Sequence, residues 1–276
     1  MPTATARSLA GVLRIDSQRT CTLRLATLLL ATLLLATLLL ATLLLAGCRG
    51  DARPTVRVFA AASLTAPFEQ LTRAFGERHP ELRLDLHCAG TPQLVLQLRE
   101  GAPADVFASA DHIQMQRVVD ASRAAGVPRP FAGNSLVIVT RPGNPKNVTG
   151  LADLSRDDVT CLLCAPAVPA GRYAREALAR AGVAVTSASD EPSVRAIVSK
   201  IELGVADAGI VYRTDALAAS ERLHAVELPA HHDVVATYPI VATSGGDRTD
   251  GGHAFVAFVL GAEGRRILAQ HGFPAP

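Results

Sequence analysis

The chain has 276 residues, 49% of them hydrophobic and 19% charged, which is enough for one large domain or two lobes. Its 27 Lys and Arg exceed its 25 Asp and Glu only through the N-terminus. Residues 1–47 hold four Arg and one Asp, so the 229 that follow carry 23 basic and 24 acidic side chains, a net charge of −1. With no Trp and three Tyr as well, those residues lack the basic surface and stacking rings that hold nucleic acid, and no nucleic-acid partner is expected.

Residues 25–46 are an apolar run in which the unit ATLLL repeats. By length alone it suits a bilayer. It follows Arg7, Arg14, Arg19 and Arg24 and ends in Leu45-Ala46-Gly47-Cys48, the layout of an export signal with small residues at its cleavage site. That ending resembles the lipobox of bacterial lipoproteins, where cleavage precedes the cysteine and the thiol takes lipid. The expectation is a lipoprotein signal peptide over 1–47, lipidation at Cys48 and a tether over 48–54. An uncleaved membrane anchor is the alternative. In either case the remainder lies outside the cytoplasm, in the periplasm or at the cell surface.

Strands and helices then alternate. Residues 55–60 are β-branched and read as a strand; 64–79 carry Leu64, Phe68, Leu71 and Phe75 at helical spacing. Leu82, Leu84 and Leu86 alternate with polar residues as in a half-buried strand. Residues 91–100 and 111–124 read as helices around a short strand at 104–108. A stretch at 126–133 rich in Pro and Gly separates a second group. That group has strands at 136–140, 159–164 and 207–212 and helices at 170–181 and 191–203. Residues 234–243 are extended, and helices near 253–260 and 263–270 close the chain. The alternation predicts an α/β fold of two lobes, each a mainly parallel sheet flanked by helices, with a cleft between. The expected boundaries are 55–132 plus 241–276 for one lobe and 133–240 for the other, with crossovers near 133–140 and 234–243.

Cys88, Cys161 and Cys164 remain after the leader. Cys161 and Cys164 have C-x-x-C spacing, but residues three apart on a buried strand point to opposite faces, which argues against a metal or redox pair. A disulfide from Cys88 to one of them stays open.

The chemistry gathers where helices begin. Ser63 follows Ala60-Ala61-Ala62 at an expected N-cap. Thr91 is an expected N-cap before Pro92. Val168-Pro169-Ala170-Gly171 opens a third helix, and Ser189-Asp190-Glu191-Pro192-Ser193-Val194 a fourth. In parallel α/β sheets such starts lie at the strand ends where ligands bind. Their unpaired N–H groups and small residues suit an anion held by neutral donors. A donor-only site fits a fully deprotonated oxyanion and not monohydrogen phosphate, whose proton needs an acceptor.

Taken together, Val58-Phe59-Ala60-Ala61-Ala62-Ser63-Leu64-Thr65, the 101–111 segment containing Ala104-Asp105-Val106-Phe107, Gly133-Asn134-Ser135-Leu136, Val168-Pro169-Ala170-Gly171, Gly209-Ile210-Val211-Tyr212 and Tyr238-Pro239 resemble the periplasmic molybdate-binding proteins of ABC importers. The motifs keep the family's order over 55–273. The resemblance implies a type II periplasmic binding protein that closes on molybdate or tungstate. Its contacts would be the hydroxyl and backbone of Ser63, Thr91 where the family usually has Ser, the backbone of Ala170 and Val194, and the phenol of Tyr212. The metal would be held through its oxygens, with no direct side-chain ligand and no cofactor. The partners implied are the oxyanion, an ABC permease and, through the lipid, a membrane; a monomer is expected. Two features depart from the family: the insertion or Pro in Glu191-Pro192-Ser193-Val194-Arg195, and Cys164 where many members have Asp.

Rival readings are a receptor for another oxyanion such as sulfate, a metal receptor built on His231-His232-Asp233, and a hydrolase using Ser63. The last lacks the G-x-S-x-G elbow. Arg195 and Arg213 flank two proposed contacts and read as surface ion-pair residues.

Overall fold

A computed structural model describes residues 27–39 and 53–276, which belong to two units, residues 1–52 and 53–276. In the first unit residues 27–39 are helical and exposed. The Thr32 and Thr37 hydroxyls each donate to a carbonyl one turn back, Leu29 and Leu34, at 2.9 Å, which satisfies a hydroxyl inside an apolar helix. Among the described residues no helix is long and apolar enough to cross a membrane. Cys48 and the expected cleavage site lie outside the described residues.

The second unit holds two five-stranded sheets. The first contains β1 (Thr55–Ala61), β2 (Arg83–Ala89), β3 (Val106–Ala108), β4 (Arg129–Asn134) and β10 (Ala236–Ala242), in the order β2-β1-β3-β10-β4. β1 runs parallel to β2 and β3, with Val58 opposite both Leu86 and Val106; β10 is antiparallel to β3 and β4. Both faces are covered, so Val56, Val58 and Ala60 are fully buried. Helix α1 (Thr65–Arg78) sets Phe68, Leu71 and Phe75 against one face, where Phe75 meets Phe255 edge-on at 5.3 Å. Helices α2 (Thr91–Arg99) and α3 (His112–Asp120) bury Leu94, Leu98, Met115 and Val118 against Phe59, Phe107 and Val241 on the other. Each such side chain contributes about 1.5–3 kcal/mol of transfer free energy.

The second sheet contains β5 (Leu136–Thr140), β6 (Cys161–Cys164), β7 (Asp190–Glu191), β8 (Ala208–Tyr212) and β9 (His224–Glu227), in the order β7-β6-β8-β5-β9. β5, β6 and β8 are buried throughout. Helices α4 (Pro169–Arg180), α5 (Val194–Glu202) and α6 (Arg213–Ala218) belong to this half; α7 (Thr249–Leu260) and α8 (Ala262–Gln270) return to the first.

Both sheets share one plan: three parallel strands, then an antiparallel strand in fourth place that arrives from the other sheet. β5 leaves β4 after the single residue Ser135, and β10 returns after β9. The sheets are therefore mixed, where mainly parallel ones were expected. The Pro- and Gly-rich stretch expected as a separator is largely the edge strand β4, where Pro130 is tolerated because one side of an edge strand needs no donor. The segments expected as crossovers are mostly strands, and the chain passes between sheets at Ser135 and over residues 228–235. The helix expected from residue 191 begins only at Val194, because Asp190 and Glu191 pair with Leu163 and Cys164 as β7.

Candidate functional site

Ser63, Thr91, Ala170, Val194 and Tyr212 line one small cavity, together with Ala61, Ala62, Gly90, Ala110, Val168, Pro169 and Ser193. The space open to a water centre is about 10 Å³, room for roughly one water-sized sphere. Its lining carries no ionised side chain.

Each contact sits at the start of a helix or the end of a strand, though not always at the expected position. β1 ends at Ala61 and a short 3-10 turn, Ala62–Leu64, leads into α1, whose N-cap is Leu64. Ser63 therefore caps nothing, and its hydroxyl lies 3.0 Å from that of Tyr238. Gly90 is the N-cap of α2, which makes Thr91 its first residue. Val168 is the N-cap of α4, with Pro169 and Ala170 in its first turn. Ser193 caps α5 by accepting from the Ala196 N–H at 3.3 Å, and Val194 is the first helical residue. The first N–H groups of each helix have no partner within it, and these converge with the positive ends of the helix dipoles.

Two glycines permit this convergence. A Cβ on Gly171 would stand 2.2 Å from the Ala165 carbonyl oxygen and 2.3 Å from that of Cys164, so only Gly lets α4 start against the end of β6. A Cβ on Gly90 would stand 2.2 Å from the Pro192 carbonyl oxygen. Gly90 extends from the first sheet and Pro192 from the second, so the two halves meet there.

Tyr212 ends β8, buried, and its hydroxyl has no hydrogen-bond partner among the described residues. Burial raises its pKa well above the ordinary phenol value, and the neighbouring Tyr238 adds to the shift. The group is a neutral donor at the edge of the cavity, which fits an anion.

Behind the site runs a buried polar chain that the sequence reading did not assign. Asn134, at the end of β4, donates from Nδ2 to the Thr214 hydroxyl at 2.8 Å and to the Tyr238 hydroxyl at 3.3 Å. Its Oδ1 accepts the Ser135 N–H at 3.0 Å. Asn134 and Tyr238 stood in recognised motifs, but a strand pattern cannot tell a buried polar side chain from an exposed one.

A model described as bacterial extracellular solute-binding protein matches residues 56–274. The chain belongs to that family. Among relatives of this solute-binding protein, it is 41% identical over 231 residues to the molybdate-binding protein ModA of Mycobacterium bovis, covering 84% of this chain and 88% of the relative. It is 27% identical to the protein of the same name from Haemophilus influenzae, over 81% of this chain and 91% of the relative. The Azotobacter vinelandii periplasmic molybdate-binding protein superposes with a TM-score of 0.71 at 20% identity, covering 80% and 99% of the two chains. The Mycobacterium tuberculosis sulfate-binding protein SubI gives 0.72 at 18%, covering 80% and 87%. At such identities the solved structures establish the fold, that of a two-lobed periplasmic binding protein.

The lobes of this solute-binding protein are fastened at the cleft. Arg172 of α4 donates to Asp111 at 2.8 Å, the Gln114 amide donates to the Ala167 carbonyl at 2.8 Å, and Arg195 reaches the Thr65 hydroxyl at 3.1 Å. Arg195, expected in a surface ion pair, is thus an interlobe contact. Arg213 does pair with Glu227 and also donates to the Ser135 hydroxyl at 3.0 Å.

A larger cavity of about 510 Å³ opens on the other side of Ser63, among Glu69, Arg195, Glu202, Asp215 and Arg222. Its lining mixes carboxyl groups with two arginines, whereas the smaller cavity has only neutral donors. Cys161 and Cys164 are buried in β6 and Cys88 is half-buried in β2; all three are free thiols, so the disulfide left open by the sequence is not formed. Burial pushes the Cys161 thiol up to about 12. The His231 and His232 rings lie 4.0 Å apart in a loop, and Asp233 accepts the Leu136 N–H instead of joining them. Among the described residues no cluster of three or more His, Cys, Asp or Glu is placed to hold a metal ion.

Proposed function

We propose that this solute-binding protein captures molybdate or tungstate between its lobes and delivers it to an ABC permease. The observation that carries the reading is the set of donors around the small cavity, whose space of about 10 Å³ must widen to admit a five-atom oxyanion. Four helix starts, two from each lobe, and the unpartnered Tyr212 hydroxyl face one small space lined by no ionised side chain. A fully deprotonated tetrahedral dianion supplies acceptors in every direction and leaves no proton unmatched. The mycobacterial relative's name supports molybdate.

Ser63, Thr91 and Tyr212 would donate through hydroxyl groups, and the backbones of Ser63, Ala170 and Val194 through N–H groups. Because both lobes touch the anion, it stabilises the closed form selectively, and that difference drives closure. The protein acts without a cofactor and without turnover. It works as a monomer outside the cytoplasm, held to a membrane by lipid on Cys48 after loss of residues 1–47. The lobes are taken as residues 55–132 plus 241–276 and 133–240, with their edges moved to the crossovers at Ser135 and 228–235.

Thermal unfolding against molybdate, tungstate, sulfate and phosphate tests this. Ligand at about a thousand times its dissociation constant adds roughly 4 kcal/mol, a Tm shift of about 8–16 °C for a protein this size. A large shift with molybdate and tungstate alone is expected. A shift with sulfate alone would reassign the ligand, and no shift with any anion would end the oxyanion reading.

A further inference from the structure

We infer that Asn134, acting through Tyr238, keeps the Ser63 proton out of the buried chain and so free to donate into the cavity. The inference rests on the oxyanion reading and identifies a pair of positioning residues that set selectivity between deprotonated and protonated oxyanions.

The Ser135 backbone N–H can only donate, and it points at Asn134 Oδ1 from 3.0 Å. That contact fixes the amide, so Nδ2 must face the other way. There its two protons meet the Thr214 hydroxyl at 2.8 Å and the Tyr238 hydroxyl at 3.3 Å. An amide nitrogen has no lone pair to offer, so the Tyr238 oxygen accepts. Its single proton is then directed to Ser63 Oγ, 3.0 Å away. Ser63 accepts on that side, which leaves its own proton for the cavity that it lines.

Burial limits competition from water along this chain. Ser63 is 8% exposed, Asn134 2% and Tyr238 0%. Burial also keeps Tyr238 protonated, with its pKa raised far above the ordinary phenol value. The relay joins elements of both lobes: Thr214 in α6, Asn134 and Tyr238 in the strands β4 and β10, and Ser63 after β1.

A fully deprotonated oxyanion can accept that proton with any of its oxygens, whereas monohydrogen phosphate must also place a proton of its own. Asn134→Asp reverses the polarity. A carboxylate only accepts, so Tyr238 turns its proton to residue 134, Ser63 donates to Tyr238, and a Ser63 lone pair faces the cavity. Tyr238→Phe removes the relay without a new charge and leaves the Ser63 hydroxyl free to turn.

The experiment is calorimetric titration of the full chain and both variants with molybdate and with inorganic phosphate near pH 8, after circular dichroism confirms folding. The ratio of molybdate to phosphate affinity is expected to fall by roughly tenfold or more in Asn134→Asp, the scale of one mismatched buried hydrogen bond. A smaller fall is expected in Tyr238→Phe, which decides the matter alone if the Asp variant does not fold. Equal weakening of both ligands, or an unchanged ratio, would overturn the relay and leave a merely structural role. Wild-type protein that binds no molybdate would instead overturn the functional reading on which the relay rests.

Discussion

Arg172 and Asp111 meet at 2.8 Å across the cleft, one on each lobe, and Asp111 is fully buried there. Asp111 also caps α3 by accepting the Gln114 N–H at 2.6 Å, so its carboxylate serves the fold and the closure at once. Arg172→Met keeps the stem of the side chain and removes the charge. The cap survives, but closure now buries a carboxylate with no cation. That penalty falls on the closed form alone, because opening returns Asp111 to water. Molybdate affinity is expected to drop roughly tenfold or more, with little change in the melting temperature of the unliganded protein. Calorimetric titration beside a melt of the free protein checks both halves.

Tyr212→Phe separates stability from binding. The buried hydroxyl has no partner among the described residues, so deleting it relieves about 1 kcal/mol or more of unmet desolvation in the free protein. The same deletion removes a donor to the ligand and weakens molybdate by roughly five- to thirtyfold. A higher melting temperature with lower affinity is the expected signature. Loss of both would mean that the phenol supports the fold.

Asp215 sits in the first turn of α6, and its Oδ2 has no partner among the described residues. Burial pushes its carboxyl up to about 7, although the Tyr212 backbone N–H and the Arg195 charge pull the other way. A folded-state pKa above the unfolded value of about 3.9 means that the folded protein holds this proton more tightly. The stabilisation is complete below the unfolded pKa and is lost as pH rises through about 7. Asp215→Asn stays neutral at every pH. Its advantage over wild type is expected to be smallest near pH 4 and to widen toward pH 8, by about 1–3 kcal/mol of stability. Equal melting curves at both pH values would refute the assignment.

Much of the fold was legible because period and punctuation agreed. Phe68, Leu71 and Phe75 recur on one helical face, and Leu136 to Val139 is an unbroken apolar run between Ser135 and Thr140. What stayed hidden was set by tertiary pairing. Asp190 and Glu191 form a strand only because β6 lies beside them, with Glu191 held at 2.5 Å from Lys200. His224–Glu227 becomes β9 against β5 despite an exposed, polar sequence. In the site, helix starts were readable from Pro92 and Pro169, while the start at Val194 was expected three residues too early. The hydrogen-bond order behind Ser63 was not, because Asn134, Tyr238 and Ser63 are up to 175 residues apart.

Gly90→Ala probes closure from the other direction. The backbone at Gly90 has φ −56° and ψ 133°, a conformation that alanine adopts freely. The nearest atoms to the new methyl belong to Pro192 and Ser193 of the other lobe, and the Pro192 oxygen at 2.2 Å is a clash. Those atoms belong to the other lobe, so the clash is expected to act on the closed state. The open form gains slightly, since Ala loses less backbone entropy than Gly on folding, by about 0.4–1 kcal/mol. The free protein should therefore melt at the same temperature or a little higher, while molybdate affinity falls by roughly tenfold or more as the ligand works against a held-open cleft. Small-angle scattering completes the test. Wild type is expected to contract on adding molybdate and Gly90→Ala to contract less. Full contraction with unchanged affinity would show that the Gly90–Pro192 approach does not limit closure.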